Sequence, residues 1–523
     1  MQLRDYLRSN DPVKTWNEYC GFLDLTLEAF MQMQETLLFE QIDLLYNSPF
    51  GKQLLNNHRP KTIEEFRNTV PLTTYEDYQD VLLNRKIDLL PSTPSTWIMT
   101  TWKGGLSKKY APVSEAMLKE HTKALIAAIL LSTSKKRHHF TIKELDKFLY
   151  GMAPMPYLTG LAPHALKQEI DFEYLPDIKS AETMSFKERN KEGFRLALNK
   201  GVDLFFGLSS VLVKIGEDFT KGASTKKRIN VKPETFKMKR KLLKLFVLKK
   251  VLKRRVMPKE IFDFKGIICA GTDSKAFKAR IEELFGVKPL EIFGGTEIAT
   301  VAVESWSRKG LTFFPDVNFL EFIPESESHK SYSDPSYIPK TVLLNELKPH
   351  EKYELVTTKF KGGIFVRYRV GDMIECVALN DIEHGIHLPQ IRFVDRIANV
   401  IDLAGFTRIT EDLIDQVLTH TSIKANNWIV RKEYHNNEPK LHLYLELLDK
   451  TLALNDIKHQ FNETLKNLDS DYQSIEALLG KNPLEVTVLK LGSIKKYESL
   501  SNQKALKFNA SQHVINTIKA LQY

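Results

Sequence analysis

Apolar residues recur every three or four positions from Trp16 to Tyr46, among Leu, Phe, Met, Glu and Gln, which predicts helix. Residues 12 to 70 read as helical, with a turn at Ser48-Pro49 and Gly51. A second amphipathic stretch runs from Ser114 to Leu131, with Ser114 as N-cap and Met117 as its first apolar residue. Short apolar runs, Leu204 to Gly216 and Phe264 to Gly271, alternate with helical stretches such as Lys275 to Phe285. That alternation predicts α/β layers with parallel sheets.

From Leu311 the pattern shortens. Phe319–Ile323, Thr341–Leu344, Tyr353–Thr357, Gly363–Tyr368 and Met373–Ala378 are β-branched or aromatic and punctuated by Gly, Asn and Pro. They predict an antiparallel sheet or small barrel, and the Ser-, Tyr- and Pro-rich Glu325 to Pro339 stretch a surface loop. After Arg396 the chain turns more polar and reads strand (Asn399–Leu403), helix (Thr410–Thr419), hairpin (Trp428–Leu447), helix (Asn455–Leu479), strand (Leu484–Leu489). The expected class is α/β: a large N-terminal domain of layered sheets over 1–397, β-barrel-like over 311–397, and a small α+β domain over 398–523.

Composition narrows this picture. With 523 residues, 42% hydrophobic and 27% charged, disorder, collagen and a disulfide scaffold are excluded. Cys20, Cys269 and Cys376 are odd in number, with no CxxC pair, which fits a reducing compartment and carries no zinc signature. The polar Met1–Asn10 start is not a secretory signal, and the longest apolar run, Ala124–Leu131, is far short of the about 20 residues that span a bilayer. A cytoplasmic protein is expected. Net charge is +10, but Lys221–Arg255 alone holds fifteen Lys or Arg against one acid, Glu234, so the other residues sum to −4.

Neither GxxxxGK[ST] nor GxGxxG occurs, so no P-loop or dinucleotide fold is indicated. Five segments carry candidate chemistry. Thr100-Thr101-Trp102-Lys103-Gly104-Gly105-Leu106-Ser107-Lys108-Lys109 precedes the Ser114 helix. Its glycines let backbone N–H groups approach phosphate and its lysines add charge; an ordinary surface turn would look the same. Phe293-Gly294-Gly295-Thr296-Glu297 follows a strand over Leu290–Phe293. That is where α/β sheets hold ligands: Thr296 suits a phosphate and Glu297 Mg²⁺, the alternative being a strand-to-helix turn with Thr296 as N-cap. Tyr368-Arg369-Val370-Gly371-Asp372 sets an Asp beside a Gly turn, where it can accept two ribose hydroxyls, or forms a plain type I or II turn. Asp395-Arg396 lies at the composition shift, and Lys504 near the C-terminus.

In this order the segments resemble the adenylate-forming ligases (acyl-CoA synthetases, luciferases, nonribosomal adenylation domains). The chain is most similar to the auxin-responsive promoter family of acyl-acid amido synthetases, particularly its bacterial members. Gly271-Thr272-Asp273, Phe319–Glu325, Leu388–Gln390, Ile401–Arg408 and the Trp428–Glu446 hairpin extend the similarity from about Gln32 to Lys507. The resemblance implies ATP and Mg²⁺ as cofactors. Thr100, Thr101, Lys103, Gly104 and Gly105 would form the phosphate loop, with Trp102 where the family's Thr-Ser-Gly pattern has glycine. Phe293 and Gly294, with Gly295, would lie by the adenine, Thr296 near the α-phosphate, Glu297 on Mg²⁺, and Asp372 and Arg396 at the ribose. Lys504 would reach the α-phosphate from a mobile small domain, hinged near Ala398–Asn399.

The implied activity is adenylation of a small carboxylic acid, then acyl transfer to an amine, an amino acid by the family's pattern, with AMP and pyrophosphate released. Alternatives are thioester formation to coenzyme A from the same adenylate, and a non-catalytic family member. The acyl pocket is expected among Leu118–Leu131, Met152–Gly160 and Leu204–Val213. A monomer is expected. Phe236–Arg255, with ten Lys or Arg among Leu, Phe and Val, has three readings: a solvated surface helix, a peripheral membrane contact, or a nucleic-acid site. No nucleic-acid-binding motif accompanies it, so no nucleic acid is expected.

Overall fold

A computed structural model of the chain describes all residues except 101–108, 223–233, 235, 251–255, 272–273, 335, 397–399, 404–406, 436–437, 450–451, 480–481, 502–504 and 523. Two compact units divide the chain: the larger ends at Asp395, and the smaller consists of Arg396–Tyr523 together with two short earlier segments, Trp102–Ser107 and Gly271–Phe277.

The larger unit opens with helix Leu3–Arg8, followed over the stretch predicted as helical by Pro12–Tyr19, Leu27–Tyr46, Pro49–Leu54 and Ile63–Thr69. Strands β1 (Thr96–Met99) and β2 (Tyr110–Val113) then pair as an antiparallel hairpin. Helix Glu115–Thr133 follows, and the Ser114 hydroxyl accepts from the Met117 N–H at 3.2 Å, capping its first turn. From Ala124 to Thr133 this helix is buried at every position, so its long apolar run is a core helix packed on a sheet.

The sheet comprises β3 (Lys147–Tyr150), β4 (Glu173–Leu175), β5 (Leu204–Leu208), β6 (Gly266–Ala270), β7 (Leu290–Gly295), β8 (Ala299–Glu304), β9 (Leu311–Phe313), β10 (Asn318–Pro324), β11 (Lys352–Lys359), β12 (Tyr368–Ala378) and β13 (Gln390–Arg396). Its order is β10-β11-β12-β13-β9-β8-β7-β6-β5-β3-β4. β4, β3, β5, β6 and β7 are parallel neighbours. β5 is buried at all five positions, as a strand covered on both faces must be. From β7 onward the described pairings are antiparallel. The β-rich stretch from Leu311 therefore continues the parallel sheet rather than standing apart from it.

Several local expectations are corrected. Leu204–Gly216 is β5 followed directly by helix Ser209–Gly222. Thr341–Leu344 makes only an isolated bridge, Val342 to Phe322, and Gly363–Val366 is not strand. The expected loop at Glu325 begins with helix Glu325–Ser333, whose Ser328 hydroxyl donates to the buried Glu354 carboxylate at 2.7 Å. The periodicity there is too weak to read against its Ser and Tyr content.

The smaller unit holds the hairpin β14 (Val400–Leu403) and β15 (Thr407–Thr410), and a sheet of β16 (Ala425–His435), β17 (Glu438–Leu447) and β18 (Leu484–Leu489). β17 pairs antiparallel to β16 and parallel to β18. The predicted single helix over 455–479 is two, Leu454–Leu468 and Ser470–Leu479, broken where the Asp469 carboxylate accepts the Tyr472 N–H at 2.6 Å. No helix among the described residues is long and apolar enough to cross a membrane.

Candidate active site

β7 ends in Gly294-Gly295 and the chain reverses through Thr296, Glu297 and Ile298 into β8. The connection is a hairpin, so Thr296 caps no helix. Gly294 pairs with Thr300, and a Cβ there would stand 2.2 Å from the Ala299 carbonyl oxygen, so only glycine lets the two backbones close. The Ile298 carbonyl accepts from Asn318 Nδ2 at 2.8 Å and from Lys359 Nζ at 3.2 Å. Two donors from two other strands thus fix the turn that carries Thr296 and Glu297.

Glu297 meets two residues from elsewhere in the chain. Its Oε1 accepts from the Tyr368 hydroxyl at 3.2 Å and lies 3.8 Å from Lys109 Nζ. Burial, then the Glu297 charge, hold the Tyr368 phenol well above its ordinary pKa, so it stays a donor. Lys109 also lies over the Tyr75 ring, 4.7 Å from its centroid. The Tyr75 hydroxyl accepts the Tyr110 N–H at 2.7 Å and donates to the Tyr110 carbonyl at 3.1 Å, and burial pushes its pKa up to about 12. The Thr100 N–H donates to the Lys109 carbonyl at 3.0 Å, closing the base of the expected phosphate loop. Thr101, Trp102, Lys103, Gly104 and Gly105, like Lys504, lie outside the described residues.

Phe293 is buried, its ring centroid 5.8 Å from that of Phe393. Asp372 is buried four residues beyond Tyr368 on the same strand. The turn expected at Gly371 is instead a bulge inside β12: Arg369 pairs with Val356 and Met373 with Glu354, so three residues oppose one. Gly371 takes φ +78° there, a left-handed value that a side chain resists. Arg396 ends β13 and begins the smaller unit.

Behind the Thr296–Glu297 turn lies a narrow, mostly apolar cleft. Ile98 and Val113 of the β1–β2 hairpin, Met117, Leu161 and Phe365 supply much of its wall. Of the stretches expected to shape an acyl pocket, His121 and Leu158 line this cleft, and 204–213 do not. Two polar side chains in this apolar wall were not foreseen. Lys359 is buried, and burial lowers its pKa from 10.5 to about 7 against the opposing pull of Asp316 and Glu120. His121 is buried, its Nδ1 has no hydrogen-bond partner among the described residues, and burial, then Lys359, push its pKa down to about 3. Nothing in the mixed polar and apolar sequence of β11 singles this lysine out; only β11's pairing with β10 turns it toward Ile298.

The donor set can be tested against Mg²⁺. Glu297 offers a carboxylate whose Oε2 has no described hydrogen-bond partner, beside a threonine hydroxyl, and hard oxygens of this kind fit the ion. A separate group, Asp381, Glu383 and His384, already holds the Lys309 ammonium.

Comparison with known proteins adds two family models. The GH3 family N-terminal domain matches residues 21–152 and the GH3 family central domain residues 311–396. Two stretches of the chain are thus similar to GH3 family domains. The N-terminal GH3 domain contains the β1–β2 hairpin and His121; the central GH3 domain contains Lys359, Tyr368 and Asp372. The Thr296–Glu297 turn lies between the two matched stretches. No curated protein sequence matches the chain. Among solved structures, the AtGH3.15 acyl acid amido synthetase in complex with 2,4-DB is similar at 16% identity and a TM-score of 0.53, over 98% of this chain and 97% of that one. A 2-hydroxyisobutyryl-CoA ligase in complex with 2-HIB-AMP and CoA is similar at 14% identity and a TM-score of 0.54, over 88% and 86%. The chain thus shares the fold of these adenylate-forming ligases.

Proposed function

We propose that this GH3-domain chain is an ATP-dependent ligase that adenylates a small carboxylic acid and passes the acyl group to an amine, an amino acid in the simplest reading, releasing AMP and pyrophosphate. The observation that carries the reading is the Thr296–Glu297 turn, held by Asn318 and Lys359 at the mouth of an apolar cleft, with Lys109 and Tyr368 on Glu297. Phosphate chemistry at a polar rim and an acyl tail in an apolar cleft need this juxtaposition.

A carboxylate is ionised at neutral pH, so its attack on the α-phosphorus needs no general base. The protein's task is in-line positioning and relief of charge on the phosphate oxygens. Thr296 would donate to the α-phosphate, Thr100, Thr101, Lys103, Gly104 and Gly105 would wrap the polyphosphate, and Lys504 would reach the α-phosphate as a cation. Asp372 and Arg396 would hold the ribose, and Phe293, Gly294 and Gly295 the base. Glu297 would hold Mg²⁺, which would supply charge neutralisation at the phosphates. Tyr368 orients the carboxylate of Glu297 and, as a neutral phenol, does not compete with it for a cation. The acyl-adenylate is a mixed anhydride, open to an amine. Cytoplasmic residence and a monomeric state belong to the same reading, and Cys20, Cys269 and Cys376 are free and buried, in keeping with a reducing compartment.

The test is ATP- and Mg²⁺-dependent pyrophosphate release across aryl, indolyl and fatty acids, with hydroxylamine as trapping amine. One acid class should give release and a hydroxamate. Adding amino acids or coenzyme A in place of hydroxylamine then separates amide from thioester formation, the amide being expected. ATP binding with no release from any acid would overturn the adenylation reading.

A further inference from the structure

Helix Phe236–Lys250 contains an outward stripe that the adenylation chemistry does not use. Phe236, Leu243 and Val247 are spaced by seven and four residues, which stacks them on one helix face. They are 80%, 63% and 41% exposed, so the apolar face looks away from the protein. Lys239, Arg240 and Lys244, also exposed, flank that stripe. The opposite face is tied down: Met238 is buried, and Lys241 Nζ donates to the Ile261 carbonyl at 2.6 Å and pairs with Asp263 at 2.6 Å. The helix is therefore moored by one side and presents the other.

An apolar stripe bordered by cations is the arrangement of a helix lying in a bilayer interface, where the stripe enters the acyl boundary and the cations meet anionic headgroups. A nucleic-acid backbone rewards the cations but gains nothing from an exposed Phe236 and Leu243. A plain solvated surface helix would turn its apolar residues inward, and these three point out. The local charge of fifteen basic residues against Glu234 between 221 and 255 supplies the complementarity to an anionic surface. We infer that this face docks the chain peripherally on an anionic lipid bilayer.

The experiment is co-sedimentation of the full chain with vesicles of phosphatidylcholine containing phosphatidylserine, against phosphatidylcholine alone. Binding to the anionic vesicles only, weakened by salt, is expected. Phe236→Ser, Leu243→Ser and Val247→Ser together should lower partitioning at least about tenfold, while heparin retention persists. Lys239→Ala, Arg240→Ala and Lys244→Ala together should lower both, by about fivefold per residue for the vesicles. Equal binding to both vesicles, or none, overturns the inference. So does vesicle binding that survives the apolar substitutions, or tight capture of duplex DNA in its place. Sedimentation velocity covers the remaining occupant: a dimer that the apolar substitutions convert to monomer would assign the stripe to a second copy and also overturn it.

Discussion

Replacing Lys359 by Met is expected to stabilise the protein while impairing it. The ammonium sits fully inside the larger unit, bounded by Glu120, Asp316 and His121, and its pKa falls from 10.5 to about 7 because burial outweighs the acids' attraction. Its folded pKa lies below the unfolded one, so between these values the unfolded chain binds the extra proton and stability rises with pH. From about pH 7 to about pH 9 this single group should add about 2 kcal/mol to the unfolding free energy. Neighbouring titrations leave that window open. His121, at about 3, acts below its ordinary 6.5, and the buried thiols of Cys269 and Cys376, raised from 9.0 to about 12 and about 11, act above it. At neutral pH the unfavourable burial amounts to about 4 kcal/mol, and the bond to the Ile298 carbonyl returns about 1.5–3 kcal/mol. Lys359→Met should therefore gain about 1–3 kcal/mol. The turn bearing Thr296 and Glu297 loses one of its two donors in the same change, so pyrophosphate release should fall. Urea unfolding of both proteins across this pH range is the assay. An identical pH slope with and without Lys359 would refute the assignment of that slope, and of the turn's electrostatics, to this lysine.

Glu297→Ala should cut pyrophosphate release about a hundredfold or more with an unchanged thermal melt, since among the described residues its carboxylate meets Tyr368 and Lys109 alone. Unaltered release would remove it from the phosphate site. Gly294→Ala, whose methyl would meet the Ala299 carbonyl oxygen at 2.2 Å, should destabilise by about 1–3 kcal/mol. Gly295→Ala meets nothing closer than Ile298 Cγ1 at 3.6 Å and should melt like the parent, so equal melts for the two variants would disprove the steric argument. Glu321→Gln leaves Arg367, bonded to it at 2.8 and 3.0 Å, as a buried cation, and calorimetry should register a loss of about 3–5 kcal/mol. Lys504→Ala should slow adenylate formation far more than it weakens ATP binding, seen by comparing single-turnover rates with nucleotide titration.

Much of the larger unit was legible as pattern. The Trp16–Tyr46 helix, the Ser114 cap and β5, β6 and β7 follow from local periodicity and side-chain chemistry, which act within a few residues. The candidate segments at Thr100, Phe293 and Tyr368 were legible because glycine beside Thr, Glu or Asp marks a backbone shape. Which shape was not: Gly294 serves a hairpin and Gly371 a bulge, where a helix cap and a plain turn fitted the residues equally well. Glu325–Ser333 was missed because its polar residues are satisfied by a distant strand, Ser328 meeting Glu354.

The sequence by itself determined the α/β class, the confinement of positive charge to one stretch, and which segments could carry phosphate chemistry, because each depends on residue type and near-neighbour spacing. Tertiary structure alone decided that Tyr368 and Lys109 meet on Glu297, that Lys359 and Asn318 pin the Ile298 carbonyl, and that His121 faces an apolar cleft without a partner. Those contacts join residues as much as 188 positions apart (Lys109 to Glu297) through strand pairing and burial. A pKa or an orphaned nitrogen exists only once water has been excluded by chain segments that the local sequence does not contain.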